Sequence, residues 1–336
     1  MNEMNALKIG IIGTGHIAVD HIHRLARMGG AQVTAVSSRR REPAEKAAAL
    51  CGARVEDSYQ AVVEADDVDI VMVTSPSELH EEHVLAAVKA GKYVFCEKPL
   101  AVTAEGCRKI MEAEQAAGKR LVMVGFMRRF DRGYLQLKEA VTGGKYGAPL
   151  IVKCAHRNIE AHVAYTTDMA ITQTAIHEID ISRWLLDDEY VSAQVIYPPQ
   201  TKNAESFRDP ELIILRTSRG IIINLEIYIS CRYGYDVQCE VVCEDGVLRM
   251  PQPSNLFIRS EGACHESLEN DWVLRFDGAF DDELLAFLEG VRTGNLPGPT
   301  AWDGYAAAVT ADALIRAQQS EQIETITLGE KPALYR

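Results

Sequence analysis

Through about residue 125, short apolar runs alternate with longer stretches whose apolar residues recur with a helical period. The runs at residues 6–13, 32–37, 69–74 and 93–96 are largely apolar, which is typical of parallel strands buried on both faces. Several of the stretches between them are amphipathic and end at a glycine, as helices often do. This alternation predicts a doubly wound parallel sheet with helices on both faces.

The pattern changes after residue 125. Strand-like runs then follow one another, some of them joined by tight-turn sequences such as Ser218-Arg219-Gly220, which predicts a large, mostly antiparallel open sheet. One predicted helix, over residues 171–186, lies among these strands, and two more close the chain. The sequence therefore predicts an α/β protein with a parallel-sheet domain over residues 1–125 and a second α/β domain over residues 126–336.

A glycine-rich turn directly follows the first apolar run. The turn Gly13-Thr14-Gly15-His16-Ile17-Ala18 has the spacing and the strand–turn–helix context of a dinucleotide-binding fingerprint. Gly13 permits the tight turn, Gly15 leaves room for a pyrophosphate against backbone N–H groups, and Ala18 lets helix and strand approach closely. We therefore expect a Rossmann domain that binds NAD or NADP.

The end of the second strand bears on the choice between these two cofactors. An acidic residue there would bond the adenosine ribose of NAD, but residues 37–41 read Ser-Ser-Arg-Arg-Arg. A hydroxyl and a guanidinium suit a 2′-phosphate, although the arginines also fit the solvated start of a helix. The pattern favours NADP slightly and leaves NAD open. The residues expected at the cofactor are Gly13, Gly15, His16, Ile17, Ser38, Arg39, Ser75, Pro76, His80, Glu97 and Lys98.

Composition and charge limit the partners. The 336-residue chain has a formal net charge of −13, which argues against non-specific binding to nucleic acid or anionic membranes. No apolar run approaches the ~18 residues of a membrane span, and the first residues lack a signal-peptide pattern. The cysteines are scattered without metal-binding spacing. His80 and His83 share a helix face, but no third metal ligand lies near them in the sequence, so we expect no metal site. The missing membrane span and signal-peptide pattern lead us to expect a cytoplasmic protein.

Candidate chemistry begins at Lys98. It follows the run at residues 93–96 within Glu97-Lys98-Pro99, and the carboxyl ends of parallel strands face the crevice where such sheets bind ligands. The Glu97-Lys98 pair also fits a solvated turn. In the helix predicted at residues 171–186, His177 lies one turn from Gln173. Histidine can take a proton from a hydroxyl near neutral pH, but His177 also fits a structural role.

Other polar clusters lie near Arg128, near His156 and Asn158, and near Tyr235. A polyhydroxylated substrate needs several fixed donors and acceptors, which these groups supply, as any polar rim would. The polar loop at residues 159–168 could cover such a site.

Together these motifs resemble a known family. Gly13-Thr14-Gly15, Glu97-Lys98-Pro99 and His177 are similar to the glucose–fructose oxidoreductase, inositol dehydrogenase and rhizopine-catabolism (Gfo/Idh/MocA) family. Five further stretches resemble its inositol 2-dehydrogenase branch and extend the likeness over nearly the whole chain. They are residues 125–131, 154–158, 176–180, 233–236 and 301–305, which read GFMRRFD, CAHRN, IHEID, YGYD and AWDGY.

The resemblance implies an NAD(P)-dependent oxidoreductase that transfers hydride between nicotinamide and a ring carbinol of inositol or a related cyclic polyol. It implies that His177 is the general base and that Lys98, in a Lys-Pro bond that is often cis in the family, hydrogen-bonds the reacting oxygen. A homo-oligomer, tetramer or dimer, is also implied, because the second-domain sheet commonly pairs between subunits. The residues implied at the substrate are Arg128, His156, Asn158, Gln173, His177 and Tyr235.

One residue departs from the family pattern. The inositol dehydrogenase pattern has an aspartate four residues before the histidine, where this chain has Gln173. Glutamine can orient the ring or bind a hydroxyl but carries no charge, while Asp180, one turn beyond His177, could partly compensate. We keep Gln173 with Lys98 and His177 as catalytic candidates. The substrate stays open between inositol isomers, a keto-inositol and another sugar, and a non-catalytic nucleotide-binding sensor is the alternative of another class.

Overall fold

The computed structural model describes residues 6–161, 164–251 and 257–336. Packing divides the described chain into two units. Unit 1 comprises Met1–Phe126, Phe280–Ala308 and Gly329–Arg336, and unit 2 comprises Met127–Ala279 and Val309–Leu328. Within the described ranges, no helix is long and apolar enough to cross a membrane.

Unit 1 is built on a six-stranded sheet. Its strands are β1 (Leu7–Ile12), β2 (Ala31–Ser37), β3 (Arg54–Glu56), β4 (Ile70–Val73), β5 (Tyr93–Glu97) and β6 (Val122–Gly125). They run in the order β3-β2-β1-β4-β5-β6, and each neighbouring pair is parallel. The strand order reverses between β1 and β4, which is the point where doubly wound sheets bind ligands. The predicted parallel sheet is confirmed.

Helices alternate with these strands, as the apolar period predicts. They are α1 (His16–Met28), α2 (Arg41–Cys51), α3 (Tyr59–Glu64), α4 (His80–Lys89) and α5 (Ala104–Ala117). Ala18 is fully buried in the first turns of α1, so the small side chain permits the close packing that the fingerprint requires. Thr103 accepts a hydrogen bond from the N–H of Gly106 and so caps the start of α5.

Unit 2 contains a seven-stranded sheet and a separate hairpin. The strands are β7 (Pro149–Arg157), β8 (Tyr190–Ile196), β9 (Glu211–Thr217), β10 (Ile222–Tyr228), β11 (Asp236–Cys243), β12 (Gly246–Arg249), β13 (Phe257–Ser260), β14 (Ala263–Glu266) and β15 (Glu324–Thr325). The sheet order is β12-β11-β7-β10-β9-β8-β15, and β13 pairs with β14. Among these described strands, β7 and β10 pair in parallel and the other neighbours antiparallel, so the predicted mostly antiparallel sheet is confirmed.

The α-helices of unit 2 that precede residue 277 are α6 (Arg132–Thr142), α7 (Thr167–Met169), α8 (Ile176–Leu186) and α9 (Trp272–Arg275). A π-helical segment, Ala170–Ala175, directly precedes α8. The sequence predicted an α-helix from residue 171, with Gln173 one α-helical turn before His177. Because π-helical hydrogen bonds span five residues rather than four, Gln173 does not have the α-helical offset from His177 that was predicted.

Two long helices, α10 (Asp277–Thr293) and α11 (Ala301–Ser320), follow in the chain. Residues 280–308 and 329–336 pack in unit 1, whereas the predicted division assigned everything after residue 125 to the second domain. These later residues pack in unit 1 because they contact its strands and helices directly. The ring of Phe287 lies 5.5 Å from that of Phe95 on β5, and the hydroxyl of Tyr335 donates to buried Glu114 on α5 at 2.7 Å.

Short elements, and residues outside the described ranges, account for the other differences. The sequence did not predict β14 or β15, since runs of four and two residues carry little periodicity. One of the strand-like runs that the sequence predicts after residue 125, residues 256–259, starts outside the described residues, and β13 begins at residue 257. Residues 162 and 163 of the predicted loop also lie outside them.

The turn after β1 generates a stability prediction. Gly13 has φ +97°, and a Cβ at this position would lie 2.4 Å from the backbone nitrogen of Ser75. We expect Gly13→Ala to lower the free energy of unfolding by about 2 kcal/mol or more, because it combines left-handed strain with a backbone clash. Urea unfolding followed by circular dichroism measures this change.

Gly15→Ala is the matched control. Gly15 has φ −78°, and no heavy atom lies within 4 Å of an added Cβ. Its unfolding free energy should stay within about 0.5 kcal/mol of the wild-type value. Equal stability of the two variants would contradict the close approach of Gly13 to Ser75.

Candidate active site

A cleft of 710 Å³ lies at the carboxyl ends of β1, β2 and β4, where the sheet order reverses. We call it the switch-point cleft. The residues expected at the cofactor that line it are Gly13, Gly15, Ser38, Arg39, Ser75 and Pro76. The expected residues that are not part of its lining are His16, Ile17, His80, Glu97 and Lys98.

The glycine turn forms one end of this cleft. Gly15 stands directly before α1 in an extended conformation, with open space where a side chain would begin. The first turn of α1 contains no acidic residue, so its N–H groups and the positive end of the helix dipole suit an anion. The turn therefore fits the pyrophosphate of a dinucleotide.

The end of β2 forms another wall of the switch-point cleft. Ser38, Arg39 and Arg40 line it, and Arg39 and Arg40 are exposed. A carboxylate also lines the cleft, but it comes from Asp57, after β3, and it accepts a hydrogen bond from Arg41 at 2.9 Å. The cleft thus offers guanidinium groups for a phosphate and one carboxylate, already paired with Arg41, for a ribose hydroxyl.

Sequence reasoning missed an aromatic wall of the cleft. The rings of Tyr59 and His83 lie 4.5 Å apart, and His83 Nδ1 lies 2.9 Å from the hydroxyl of Ser75. Burial lowers the pKa of His83 to about 4, so the ring is neutral at pH 7. His83 is three residues from His80, the spacing that puts two side chains on one face of a helix. The sequence does not indicate which of the two histidines faces the cleft.

Lys98 lies directly after β5, half-buried, and its bond to Pro99 is cis. The preceding Glu97 is buried, and its carboxylate lies 2.8 Å from Nε2 of buried His21 on α1. Glu97 therefore ties β5 to α1. His80 is also buried: its ring nitrogens lie 2.8 Å from the carbonyl oxygen of Ser75 and 2.7 Å from that of Pro99.

Unit 2 contains a buried polar cluster around Glu178. Arg128 and Glu178, both at most 1% exposed, form a salt bridge, and Glu178 Oε2 also lies 3.0 Å from His156 Nδ1. Burial opposes ionisation of Glu178, but the charge of Arg128 and the contact with His156 outweigh it and lower its pKa. The same Nδ1 lies 3.2 Å from Arg128 Nη2, so this ring nitrogen stands between a donor and an acceptor.

Other predicted substrate residues lie around this cluster. The ring of His156 lies 6.3 Å from that of His177 and 5.6 Å from that of Tyr235. Arg128, predicted at the substrate, is buried and stacks 5.2 Å from the Phe276 ring. Its contacts make it a support for Glu178, and thereby for His156, rather than a group open to a ligand.

Three further candidates differ in their surroundings. Gln173 is half-buried in the π-helical segment, and Asn158 is half-buried just after β7. Asp180 is buried and accepts a hydrogen bond from Arg129 Nε at 2.9 Å. Its carboxylate is therefore engaged by an arginine, which weakens the idea that it replaces the aspartate of the family pattern.

The buried pair generates a prediction for the folded state. Glu178→Gln leaves the Arg128 guanidinium buried without its counter-ion, so we expect the unfolding free energy to fall by about 3–5 kcal/mol. Urea unfolding at neutral pH measures the loss. As a control in the same unit, Glu240→Gln removes the partner of half-exposed Lys153 and should cost under about 1 kcal/mol. Similar losses in both variants would contradict a buried charge pair.

Comparison with known proteins identifies the family. The model of an oxidoreductase family with an NAD-binding Rossmann fold (Gfo/Idh/MocA) matches residues 7–126, and the model of its C-terminal α/β domain matches residues 138–328. An inositol 2-dehydrogenase of Serratia proteamaculans is 51% identical over 98% of this chain and 99% of its own length. An inositol 2-dehydrogenase/D-chiro-inositol 3-dehydrogenase of Shouchella clausii is 51% identical over 98% and 96%.

A solved structure agrees with these relatives. The crystal structure of myo-inositol dehydrogenase from Lactobacillus casei in complex with NAD(H) and myo-inositol has a TM-score of 0.96 and 39% identity, and the match covers 98% of this chain and 100% of that one. The NAD-binding Rossmann fold of the family agrees with the glycine turn and the parallel sheet described above. The chain belongs to the Gfo/Idh/MocA oxidoreductase family.

Proposed function

We propose that this protein is an NAD-dependent dehydrogenase that oxidises one ring hydroxyl of an inositol, or of a closely related cyclic polyol, to a ketone. The observation that carries the proposal is the combination of the switch-point cleft with near full-length identity of 51% to inositol 2-dehydrogenases. The NAD(H) and myo-inositol bound by the Lactobacillus casei enzyme support the same cofactor and substrate class.

The chain itself has to manage a proton. NAD, when bound, supplies the nicotinamide that accepts hydride from the oxidised carbon. We assign removal of the hydroxyl proton to His177, because histidine accepts protons near neutral pH. We assign to Lys98 a hydrogen bond to the reacting oxygen, which stabilises negative charge as the proton leaves.

The substrate hydroxyls that do not react need partners of defined polarity. His156, with Nδ1 held by Glu178 and Arg128, offers Nε2 as a hydrogen-bonding group, and Tyr235 and Asn158 add a hydroxyl and an amide. Gln173 adds a second amide where the family pattern has a carboxylate. An amide both donates and accepts, whereas a carboxylate accepts only. We therefore propose that Gln173 shifts the preferred isomer or the oxidation state of the substrate.

The catalytic assignment predicts the behaviour of point variants. We expect wild-type protein to reduce NAD with at least one inositol isomer, and Lys98→Ala and His177→Ala to lower kcat by about 10²–10⁴-fold, because each loses an acid–base or charge-stabilising group. Absorbance of reduced nicotinamide across a panel of inositol isomers and sugars measures this.

Lys89→Ala is the matched control, since Lys89 is an exposed residue at the end of α4. It should retain wild-type turnover. Near-normal kcat in Lys98→Ala would remove the lysine from the mechanism. Tight NADH binding without turnover on any member of the panel would instead favour a non-catalytic sensor.

The finer choice of cofactor is a separate proposal. We infer that the enzyme also accepts NADP, because Ser38 and the exposed guanidinium groups of Arg39 and Arg40 line the cleft beyond β2. A charge-assisted hydrogen bond contributes about 1.5–3 kcal/mol, so Arg39→Ala should lower kcat/KM for NADP about tenfold or more and change that for NAD by less than about threefold.

Steady-state kinetics with both cofactors measures the two effects. Lys46→Ala is the control, because Lys46 is exposed on α2, bonds to Glu42 and does not line the cleft. Equal losses with NAD and NADP would mean that Arg39 does not read the 2′-phosphate, and the dehydrogenase assignment would be unaffected.

A further inference from the structure

His80, the first residue of α4, lies behind the switch-point cleft and is 1% exposed. The sequence suggested that it contacts the cofactor, but it is not part of the cleft lining. Instead, Nε2 lies 2.8 Å from the carbonyl oxygen of Ser75 and Nδ1 lies 2.7 Å from the carbonyl oxygen of Pro99. Both distances are those of well-formed hydrogen bonds.

The two partners are both acceptors. A neutral imidazole carries one N–H, so it can donate to one carbonyl and would direct a lone pair at the other. An imidazolium donates from both nitrogens and satisfies both carbonyls. At 2.7 and 2.8 Å a contact between two lone pairs would be repulsive, so the geometry favours the doubly protonated ring.

The surroundings determine what balances the charge of such a ring. The thiol of Cys96 lies 3.6 Å from His80 Nδ1, and burial raises its pKa well above the ordinary value, so it is uncharged. His83, on the same helix, is neutral at pH 7 because burial lowers its pKa to about 4. Carboxylates on α4 and β5 are bonded to other side chains: Glu81 to Lys109, Glu82 to Tyr59 and Glu97 to His21. Carbonyl dipoles therefore carry the stabilisation of the charge.

The two carbonyls belong to segments with different tasks. Ser75 follows β4 and lines the switch-point cleft, and its backbone packs against Gly13 of the glycine turn. Pro99 directly follows Lys98. A side chain that bonds to both carbonyls sets the distance between Ser75, in the lining of the switch-point cleft, and the backbone next to Lys98.

We propose that His80 is a positioning residue for Lys98: as an imidazolium it bonds Ser75 and Pro99 at once and fixes the lysine turn against the cofactor cleft. The inference rests on the proposed function, since it assumes that Lys98 acts in turnover. It assigns to His80 no contact with substrate or cofactor. The effect of its loss should therefore appear in kcat rather than in binding.

Steady-state kinetics of His80→Gln tests the positioning role. Glutamine retains a donor for one carbonyl and loses the other bond, so we expect kcat to fall about tenfold or more, because small displacements of a reacting group are costly. The KM values for NAD and polyol should stay within about threefold of wild type. His23→Gln, at an exposed position on α1, should leave both parameters unchanged.

The protonation state gives a readout that a merely structural histidine would not supply. In protein labelled with ¹⁵N-histidine, the ring signals of His80 are assigned by their loss in His80→Gln or, if that variant does not fold, in His80→Asn. At about pH 8, both His80 nitrogens should carry protons, because each faces a carbonyl oxygen that can only accept. One protonated and one unprotonated nitrogen would overturn the proposal.

These measurements distinguish failure of the positioning role of His80 from failure of the proposed dehydrogenase activity. If wild-type protein turns over a polyol and His80→Gln has the same kcat, the positioning role is wrong and the proposed function stands. If wild-type protein turns over no polyol or sugar, the proposed function is wrong, and with it the link from His80 to turnover. A reduced kcat in His80→Gln together with a doubly protonated ring supports the proposal.

Discussion

The parallel pairing of β1 with both β2 and β4 is the constraint on which the rest of unit 1 depends. Parallel strands present their carboxyl ends at one edge, so the glycine turn, the serine–arginine end of β2 and the Ser75 segment meet around one cleft. Residues from distant parts of the sequence thus come together, and hydrogen bonds join them: the N–H of Gly13 donates to the carbonyl of Ser37, and the hydroxyl of Thr74 donates to the carbonyl of Gly13. The strand order determines where the cleft lies, and the individual side chains only line it.

Buried polar contacts support the candidate functional side chains in both units. In unit 1, Glu97 meets His21 and His80 meets two carbonyls; in unit 2, Glu178 meets Arg128 and His156. Burying such groups is costly unless each one is bonded, so these arrangements have few alternative geometries. That restriction suits residues that must hold a neighbour in one orientation.

Periodicity and turn chemistry were enough to predict the parallel sheet, the fingerprint and the mostly antiparallel sheet, because each depends on local sequence. They did not predict which face of a helix meets which partner. His80 and His83 differ by three positions, yet the side chain of His83 lines the cleft and that of His80 lies behind it. Arg128 likewise reads as a polar rim residue, and only the packing of Glu178 and Phe276 around it makes it buried.

The contact between Tyr335 and Glu114 has a consequence for the order in which the molecule can be completed. Glu114 also accepts hydrogen bonds from the backbone of Leu121 and Val122 at the edge strand β6. Domains often fold in order from the N-terminus as a chain is synthesised. Here a ribosome has made all of unit 2 before the last segment of unit 1, Gly329–Arg336, exists. Synthesis of unit 1, the nucleotide-binding unit, therefore begins before that of unit 2 and ends after it.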